Sequence, residues 1–350
     1  MSPLDPGQRQ ALLGIEVKTL VRDRWPDAVI DDPGSFAGGV TLFEGGTGRG
    51  WVLFDNESAM SLGAALGWAE SHQVKELHLL LDTKEGNGVA ARVMARRAGA
   101  FRDRPAVWAV SGRALERVAP AEVADPARPT DLPAGAVGWE ALLIAHGVQP
   151  VIEHGVLRGD VLGLEVARVV ADDAQGWRLT VGVGDHDREA RREMKPDEDP
   201  FAALDQVVDL VRTWRSPGAR VHPANTLAPE RWLRSIVASR PRLVGASELV
   251  PLAPAVERTD LRHRSPAPAA GVDLDGRPVV VVCSTGVDID LVPSAADSRL
   301  LDGRGAALVI VVPEGDDHPV TRRLAAGLVD PPDLVTVSRQ WRALTWAPAS

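Results

Sequence analysis

Two short apolar runs near the carboxyl end of the chain constrain its fold more than any other feature of the sequence. Val279–Val282 and Leu308–Val312 consist almost wholly of aliphatic side chains. Such runs are typical of strands that are covered on both faces, as in parallel sheets flanked by helices. A helix pattern follows each run, at 291–300 and 319–328. The sequence therefore predicts an α/β fold at this end of the chain.

The amino-terminal part of the chain shows the same order of patterns. In both regions a hairpin pattern is followed by helix, strand, helix and strand. The first region has these patterns at 39–43 and 51–55, 58–71, 76–81, 88–100 and 106–110, and the second has them at 271–274 and 278–283, 291–300, 307–312, 319–328 and 334–337. The agreement indicates either a duplicated module or a convergent α/β pattern. Duplication predicts that residues 39–110 and 271–338 superpose.

The patterns between these regions predict two further parts. Residues 119–136 are rich in proline and alanine without an apolar period, which predicts a linker. Strand patterns at 149–153, 161–170 and 177–183 precede helix patterns at 200–214 and 229–239. The predicted organisation is an amino-terminal α/β module (1–118), the linker, a strand-rich α+β middle region (137–225) and a carboxyl-terminal α/β module (226–350).

The overall composition excludes several classes of protein. The 350 residues include 39 Lys and Arg against 48 Asp and Glu, and this net charge of −9 weighs against a general nucleic-acid coat protein. A single cysteine, Cys283, excludes an internal disulfide framework and a thiolate zinc cluster. No uncharged apolar stretch is long enough to span a bilayer, and no signal-peptide pattern begins the chain. We therefore expect a cytoplasmic protein without a membrane partner.

The order of hairpin, helix, strand, helix and strand resembles the heart of the restriction-endonuclease-like (PD-(D/E)XK) nucleases. The run from Ala64 to Val110 is similar to the tail of the mismatch-directed endonucleases of that superfamily, in which an alanine- and arginine-rich helix ends before a short valine strand. The resemblance implies two restriction-endonuclease-like α/β modules that flank the middle region. It also implies a role in DNA handling, with DNA as the partner.

The catalytic motif of that family is incomplete in both modules. The family requires an Asp where the hairpin opens and a Glu/Asp-x-Lys triplet where it ends, so that two carboxylates hold Mg²⁺ and the lysine steadies the attacking water. In the first module Thr41 stands at the Asp position and Glu57 stands where the lysine belongs. In the second module Asp273 opens the hairpin, but its return strand ends at 282–285 without an acid or a lysine. We therefore expect the fold of a nuclease without its reaction.

Acidic side chains in the middle region form the first candidate metal site. Glu165 lies on a predicted strand, Asp185 and Asp187 follow the next one, and Glu153 and Asp160 lie on neighbouring strands. Hard cations such as Mg²⁺ take several oxygen ligands from different elements. The group therefore indicates a carboxylate pocket for magnesium or, alternatively, a charged loop after a strand.

A second acidic group competes with the first as the metal site. Asp273 and Asp288 flank the apolar strand at 278–283, and ligand sites of α/β proteins form at the carboxyl ends of strands. The alternative is that Asp288 belongs to a helix amino terminus, where acids interact favourably with the helix dipole.

Basic residues concentrate where the middle region meets the last module. Between 205 and 242 the chain has seven arginines and three acids, with two tryptophans among them. A basic patch with interleaved aromatic side chains can follow a phosphate backbone. The alternative is two amphipathic helices with solvated arginine faces and buried tryptophans. The candidate nucleic-acid contacts are Arg212, Arg215, Arg231, Arg234 and Trp232.

Three functions remain open on these observations. The first is a catalytically degenerate, nuclease-like protein that acts in DNA handling. The second is a non-catalytic scaffold that binds another protein through a tryptophan-bearing surface. The third is a magnesium-dependent phosphodiesterase that uses the acidic group of the middle region, with magnesium as its candidate cofactor.

Overall fold

The structure is a computed structural model, and it describes residues 5–56, 61–82, 88–122, 134–172, 176–195, 197–220, 222–256 and 265–344. The chain divides into two compact units, and neither unit is continuous in sequence. The first comprises Met1–Val123, Ile289–Asp297 and His318–Pro331, and the second comprises Ala124–Asp288, Ser298–Asp317 and Pro332–Ser350. Helices and strands are mixed in the described ranges, so the predicted α/β class is confirmed.

The helices and strands follow one another along the chain in three stretches. The first contains α1 (Pro6–Arg24), β1 (Gly34–Phe36), β2 (Gly39–Glu44), β3 (Arg49–Phe54), α2 (Leu62–Ser71), β4 (Glu76–Asp82), α3 (Val89–Ala98), β5 (Ala106–Ser111) and β6 (Ala114–Arg117). The second contains α4 (Trp139–Ala145), β7 (Gln149–Glu153), β8 (Val156–Val161), β9 (Leu164–Asp172), β10 (Gly176–Val181), α5 (Gly184–Met194) and α6 (Pro200–Trp214). The third contains α7 (Pro229–Ser239), β11 (Ala246–Pro251), β12 (Ala267–Asp273), β13 (Pro278–Cys283), α8 (Leu291–Asp302), β14 (Ala307–Pro313), α9 (Pro319–Ala326) and β15 (Asp333–Val337).

The first unit contains a six-stranded sheet whose strands lie in chain order, β1 to β6. Strand β2 is antiparallel to both neighbours, β3, β4 and β5 are parallel, and β6 is antiparallel to β5. Helix α1 covers one face through Val17, Leu20 and Val21, which lie three and four residues apart and so share one side of the helix. Pro6 begins this helix, where its missing N–H leaves no hydrogen bond unmade.

The segments that follow α3 and α9 meet in the first unit through a reciprocal pair of backbone hydrogen bonds. The N–H of Arg102 donates to the carbonyl of Gly327 at 3.0 Å, and the N–H of Val329 donates to the carbonyl of Ala100 at 2.9 Å. Arg102 corresponds to Val329 as donor, and Gly327 corresponds to Ala100 as acceptor. The two bonds are therefore related as by a local twofold axis.

Two ion-pair groups accompany that contact. Asp297 of α8 accepts from Arg96 of α3 at 2.6 Å and from the adjacent Arg97 at 3.0 Å. Glu70 of α2 lies 2.7 Å from Arg323 of α9. In both cases a carboxylate of the first helix in one region binds an arginine of the second helix in the other region. Arg96 is buried where it meets Asp297.

The second unit contains a four-stranded antiparallel sheet in which β7, β8, β9 and β10 are successive neighbours. Tight turns join the first three strands, at His154-Gly155 and Leu162-Gly163, and all four turn residues have positive φ. This conformation is typical of two-residue hairpin turns. One face of the sheet packs against α6 in an apolar core, and the other face carries charged side chains.

A five-stranded sheet in the second unit repeats the arrangement of the first five strands of the chain. Its order is β11 to β15, with β12 antiparallel to both neighbours and β13, β14 and β15 parallel. Helix α7 covers one face through Trp232, Leu233, Ile236 and Val237. The two sheets therefore share strand order and direction, while the superposition of residues 39–110 and 271–338 stays a prediction.

Several predicted elements have different bounds in the structure. The predicted strand at 161–170 begins too early, because the chain turns at Leu162-Gly163 and β9 begins at Leu164. Residues 184–189, which include Asp185 and Asp187, form the first turns of α5 rather than a loop. The predicted helices at 200–214 and 229–239 are confirmed as α6 and α7. Within the ranges that the structure describes, no helix combines the length and apolar character needed to cross a bilayer.

Candidate functional site: a buried carboxylate–arginine cluster

The charged face of the β7–β10 sheet gathers acidic side chains from three neighbouring strands. Glu153 ends β7, Asp160 lies on β8 and Glu165 lies on β9, and each is 1% exposed. Asp160 and Glu165 are directly opposite each other in the pairing of β8 with β9. A register shift between Gly159 and Asp160 brings them opposite, because it changes which residues of the two strands face each other.

Arginines from three elements surround these acids. They are at most 8% exposed, and they come from β8, α5 and α7. We call the three acids and these arginines the buried ion cluster. Its arginines are Arg158, Arg188, Arg231 and Arg234.

Glu165 is held by guanidinium groups from its own sheet and from α5. Its carboxylate accepts from Arg158 at 3.1 Å and lies 2.9 Å from Arg188. It also binds the half-buried Arg168. Asp185, at the start of α5, joins the same group from the solvent side, with Arg188 at 2.6 Å and Arg168 at 3.0 Å.

Helix α7 supplies the arginines that contact the other two acids. Arg231 binds Glu153 through Nη2 and lies 3.9 Å from Asp160. Arg234 lies 3.4 Å from Asp160 and 3.8 Å from Glu153. The helix is buried from Glu230 to Val237 because it contacts two partners. Its apolar side packs on the β11–β15 sheet, and its arginines face the β7–β9 acids.

The pKa values of the two acids that face α7 move in opposite directions. Burial alone would raise the pKa of Glu153, but the charges of Arg231, Arg234 and Arg158 hold it below its usual value. Burial raises the pKa of Asp160 above its usual value, because the neighbouring arginines offset desolvation only in part and Glu153 adds repulsion. The cluster therefore holds one firmly ionised acid beside one whose charge is disfavoured.

A recess of about 10 Å³, with room for about one water molecule, borders the cluster and is lined by Glu153, Arg231, Arg234, Ser265 and proline side chains. Pockets for organic ligands usually have volumes of about 300–1,000 Å³, so this recess is small for a substrate. Glu153 Oε1, Arg231 Nη1 and Arg234 Nε have no hydrogen-bond partner among the described residues. One water that donates to the carboxylate and accepts from a guanidinium would satisfy such a mixed set of groups.

The chemistry of the cluster is that of a closed salt-bridge network. Four buried guanidiniums face three buried carboxylates, so a divalent cation would enter a region that already carries excess positive charge. No group of three or more His, Cys, Asp or Glu side chains in the described ranges is arranged to hold a metal ion. The predicted magnesium site at Glu165, Asp185 and Asp187 therefore stays a prediction without a ligand set. Asp187 itself accepts from the N–H of Val183 at 2.8 Å at the start of α5.

The competing acidic group does not converge. Asp273 lies in the turn before β13, where it accepts from the N–H groups of Asp275 and Arg277 at 2.8 Å each. Asp288 follows the other end of this six-residue strand. A strand rises about 3.3 Å per residue, so the two acids are separated by the length of β13. The structure therefore does not bring Asp273 and Asp288 together, and their role as metal ligands stays a prediction.

The five residues that the sequence suggested for nucleic-acid contact do not form an exposed patch. Arg215, Arg231, Arg234 and Trp232 are between 2% and 4% exposed. Arg212 is half-buried and donates to the carbonyl of Gly147 at 3.0 Å. Their guanidiniums bind acids and carbonyls inside the protein rather than facing solvent, and their contact with nucleic acid stays a prediction.

Arg215 is a buried arginine of this kind, and its guanidinium binds backbone carbonyls. Its guanidinium donates to the carbonyls of Leu162, Ala224 and Leu227, and it lies 4.7 Å from the ring centre of Trp232. Burial lowers the pKa of Arg215 to about 9, and the charge of Asp160 offsets this only in part. The residue therefore joins the β8–β9 turn to the segment before α7.

The other residues that the sequence analysis singled out are the tryptophans, Cys283, Thr41 and Glu57. Of the tryptophans in the described ranges, Trp51, Trp232 and Trp341 are buried and the others are partly exposed, so the tryptophan-bearing binding surface stays a prediction. Cys283 is buried, and burial raises its thiol pKa to about 12, as expected for an unreactive cysteine. Thr41 is buried in β2, and Glu57 lies outside the described residues.

Sequence reasoning placed Glu153, Asp160 and Glu165 on neighbouring strands but missed Arg158 and Arg188. The alternation of Arg158 with Asp160 in β8 is a signal for Arg158, since residues two apart on a strand share a face. Comparison with known proteins adds no relative: no family model, curated protein or solved structure matches the chain. The resemblance to the restriction-endonuclease-like nucleases stays a prediction.

Proposed function

We propose that this protein is a non-catalytic scaffold that acts by binding another protein. The observation that carries the proposal is the closure of the buried ion cluster, in which Glu153, Asp160 and Glu165 are each matched by arginines of the same chain. Catalysis requires ionisable groups that reach a substrate, and DNA binding requires cations that reach phosphates. Because the acids and arginines of this cluster are paired with one another, the proposal assigns the function to the outer surface of the protein.

The first experiment tests the two competing functions. Labelled single- and double-stranded DNA is titrated with the full chain at low salt, and the same DNA is incubated with Mg²⁺ or Mn²⁺ and analysed for cleavage. We expect neither binding nor cleavage. Salt-sensitive binding would favour DNA handling, and metal-dependent cleavage would favour a phosphodiesterase. Either result would contradict the proposal.

A thermal melt tests the metal site separately. The melting temperature is measured with EDTA, then with excess Mg²⁺, then with excess Mn²⁺. A cation that binds only the folded state raises stability by mass action. We expect the same melting temperature in all three, because guanidiniums already neutralise the acids. An increase that is lost when Asp185 is changed to Asn would restore the predicted metal site.

The positive test is capture of a partner. The tagged full chain is incubated with an extract of its native cells, with and without nuclease treatment, and a captured protein is purified and titrated calorimetrically against the untagged chain. Saturable binding between the two purified proteins supports the scaffold. Capture that disappears after nuclease treatment would indicate a nucleic-acid bridge and would contradict it.

A further inference from the structure

The two similar sheets differ at one edge. In the first unit, β6 pairs antiparallel with β5 and covers its outer side. In the second unit, β15 holds the position that β5 holds in the first sheet, but it is the last strand of its sheet. After Val337 the chain turns away and buries Trp341 against Trp232 instead of forming another strand. The position of β6 therefore has no counterpart among the described residues.

The backbone of β15 presents hydrogen-bonding groups at this edge. The carbonyl of Val337 accepts from the N–H of Glu314 at 2.9 Å, which fixes its direction toward β14. Backbone groups of successive residues in a strand point to opposite sides, so the N–H and C=O groups of Leu334 and Thr336 point away from β14. We call these groups the β15 edge. Their outward direction makes them available to a further strand.

We propose that the β15 edge pairs with the β15 edge of a second copy of this chain, antiparallel and across a twofold axis at Val335. The precedent is within the molecule, since the equivalent strand β5 accepts an antiparallel neighbour. A self-complementary edge satisfies both copies at once. The inference goes beyond the proposed scaffold function and does not depend on it.

The register follows from the side chains. With Val335 opposite its own copy, Leu334 lies opposite Thr336 of the other chain, and the two can exchange both of their backbone hydrogen bonds. Asp333 then lies opposite Val337 of the other chain, so the two Asp333 charges do not face each other. Leu, Val and Thr are also residues that favour strands. The pairing joins the two five-stranded sheets into one continuous sheet.

The expected association is weak. A strand edge of five residues buries less than the roughly 1,000 Å² that a stable interface usually needs. Sedimentation equilibrium of the full chain over two orders of magnitude in concentration should show a mass that rises from one chain toward two. A mass that stays at one chain throughout would overturn the proposal.

Thr336→Pro removes an outward N–H that β14 does not use, so the fold should persist and the mass should stay at one chain at every concentration. Thr336→Val keeps the N–H and should associate like the wild type. An unchanged melting temperature shows that Thr336→Pro still folds. Association of the proline variant would contradict the β15 edge.

Cysteine cross-linking tests the register and does not depend on the proline variant. Residues directly opposite in a non-hydrogen-bonded antiparallel pair have Cα atoms about 4.5 Å apart, close enough for a disulfide. Val335→Cys should therefore form a covalent dimer on oxidation. Thr336→Cys, at a more exposed position, should not, because Leu334 lies opposite it. Equal cross-linking of both variants would overturn the proposed register. The buried Cys283 should not interfere.

Discussion

At the scale of single residues, His78 shows how the first unit tolerates a polar group in its interior. Its ring centroid lies 4.6 Å from that of Trp25 and 5.6 Å from that of Trp51, and its Nδ1 accepts from Trp108 at 3.3 Å. Burial, assisted by the charges of nearby arginines, lowers the pKa of His78 from 6.5 to about 4. The folded protein therefore contains the neutral imidazole.

The lowered pKa makes stability depend on pH in a defined direction. Between pH 6.5 and about 4 the unfolded chain binds a proton at His78 that the folded chain does not. The free energy of unfolding is therefore highest above pH 6.5 with respect to His78, and it falls by a total of about 3 kcal/mol as pH falls to about 4. Urea unfolding is measured for the wild type and for His78→Leu at several pH values. The free energy of unfolding of the wild type should fall relative to that of the variant as pH falls through this window. A constant difference would show that His78 titrates normally.

Gly163 and Gly155 give a matched pair of substitutions in equivalent turns. Both have positive φ, 75° and 76°. A Cβ on Gly163 would lie 2.2 Å from the backbone carbonyl of Arg231, whereas one on Gly155 would meet nothing within 4 Å. Gly155→Ala should therefore cost about 1 kcal/mol for the left-handed conformation alone. Gly163→Ala should cost well over 2 kcal/mol, since α7 must also move. Equal costs by urea unfolding would refute the close packing of this turn on α7.

At the scale of elements, α7 is the helix on which the second unit depends, because it contacts the β11–β15 sheet with one side and the acids with the other. Glu153→Gln should destabilise the protein by about 3 kcal/mol, since the buried guanidiniums of Arg231 and Arg234 lose their opposing charge. Asp23→Asn is the control, because Asp23 pairs with Arg113 in solvent at 2.8 Å. It should cost less than about 1 kcal/mol. Similar costs for both would mean that solvent screens the cluster.

The same helix shows what the sequence could and could not predict. Its bounds, and those of α6, follow from a proline in the first turn and an amphipathic period. Its surroundings do not follow, because a face of arginines looks the same whether it meets water or buried acids. The turn at Leu162 was missed for a different reason: leucine rarely adopts positive φ, so it gives no turn signal. Without that turn, Asp160 and Glu165 cannot be placed opposite each other.

At the scale of the whole molecule, the agreement between the β1–β5 and β11–β15 sheets extends to their connections. Six residues separate the end of β3 from Ser61, which caps α2, and six separate the end of β13 from Asp290, which precedes α8. An experimental structure should therefore superpose residues 39–110 and 271–338 with all four strands and both helices matched. A fit that matches the strands only by displacing the helices would favour convergence over duplication.

The first unit is assembled from three separate segments of the chain. The first unit ends its amino-terminal segment at Val123 and is completed by Ile289–Asp297 and His318–Pro331. A fragment of residues 1–118, which the sequence predicted as a separate module, lacks Asp297 and the segment that pairs with Phe101. The buried Arg96 would then have no opposing carboxylate, a loss that usually costs about 3–5 kcal/mol. The whole stability of a domain is about 5–15 kcal/mol, so the fragment should lose its cooperative thermal transition by circular dichroism. A fragment that melts cooperatively, near the temperature of the full chain, would show instead that residues 1–118 form an independent domain.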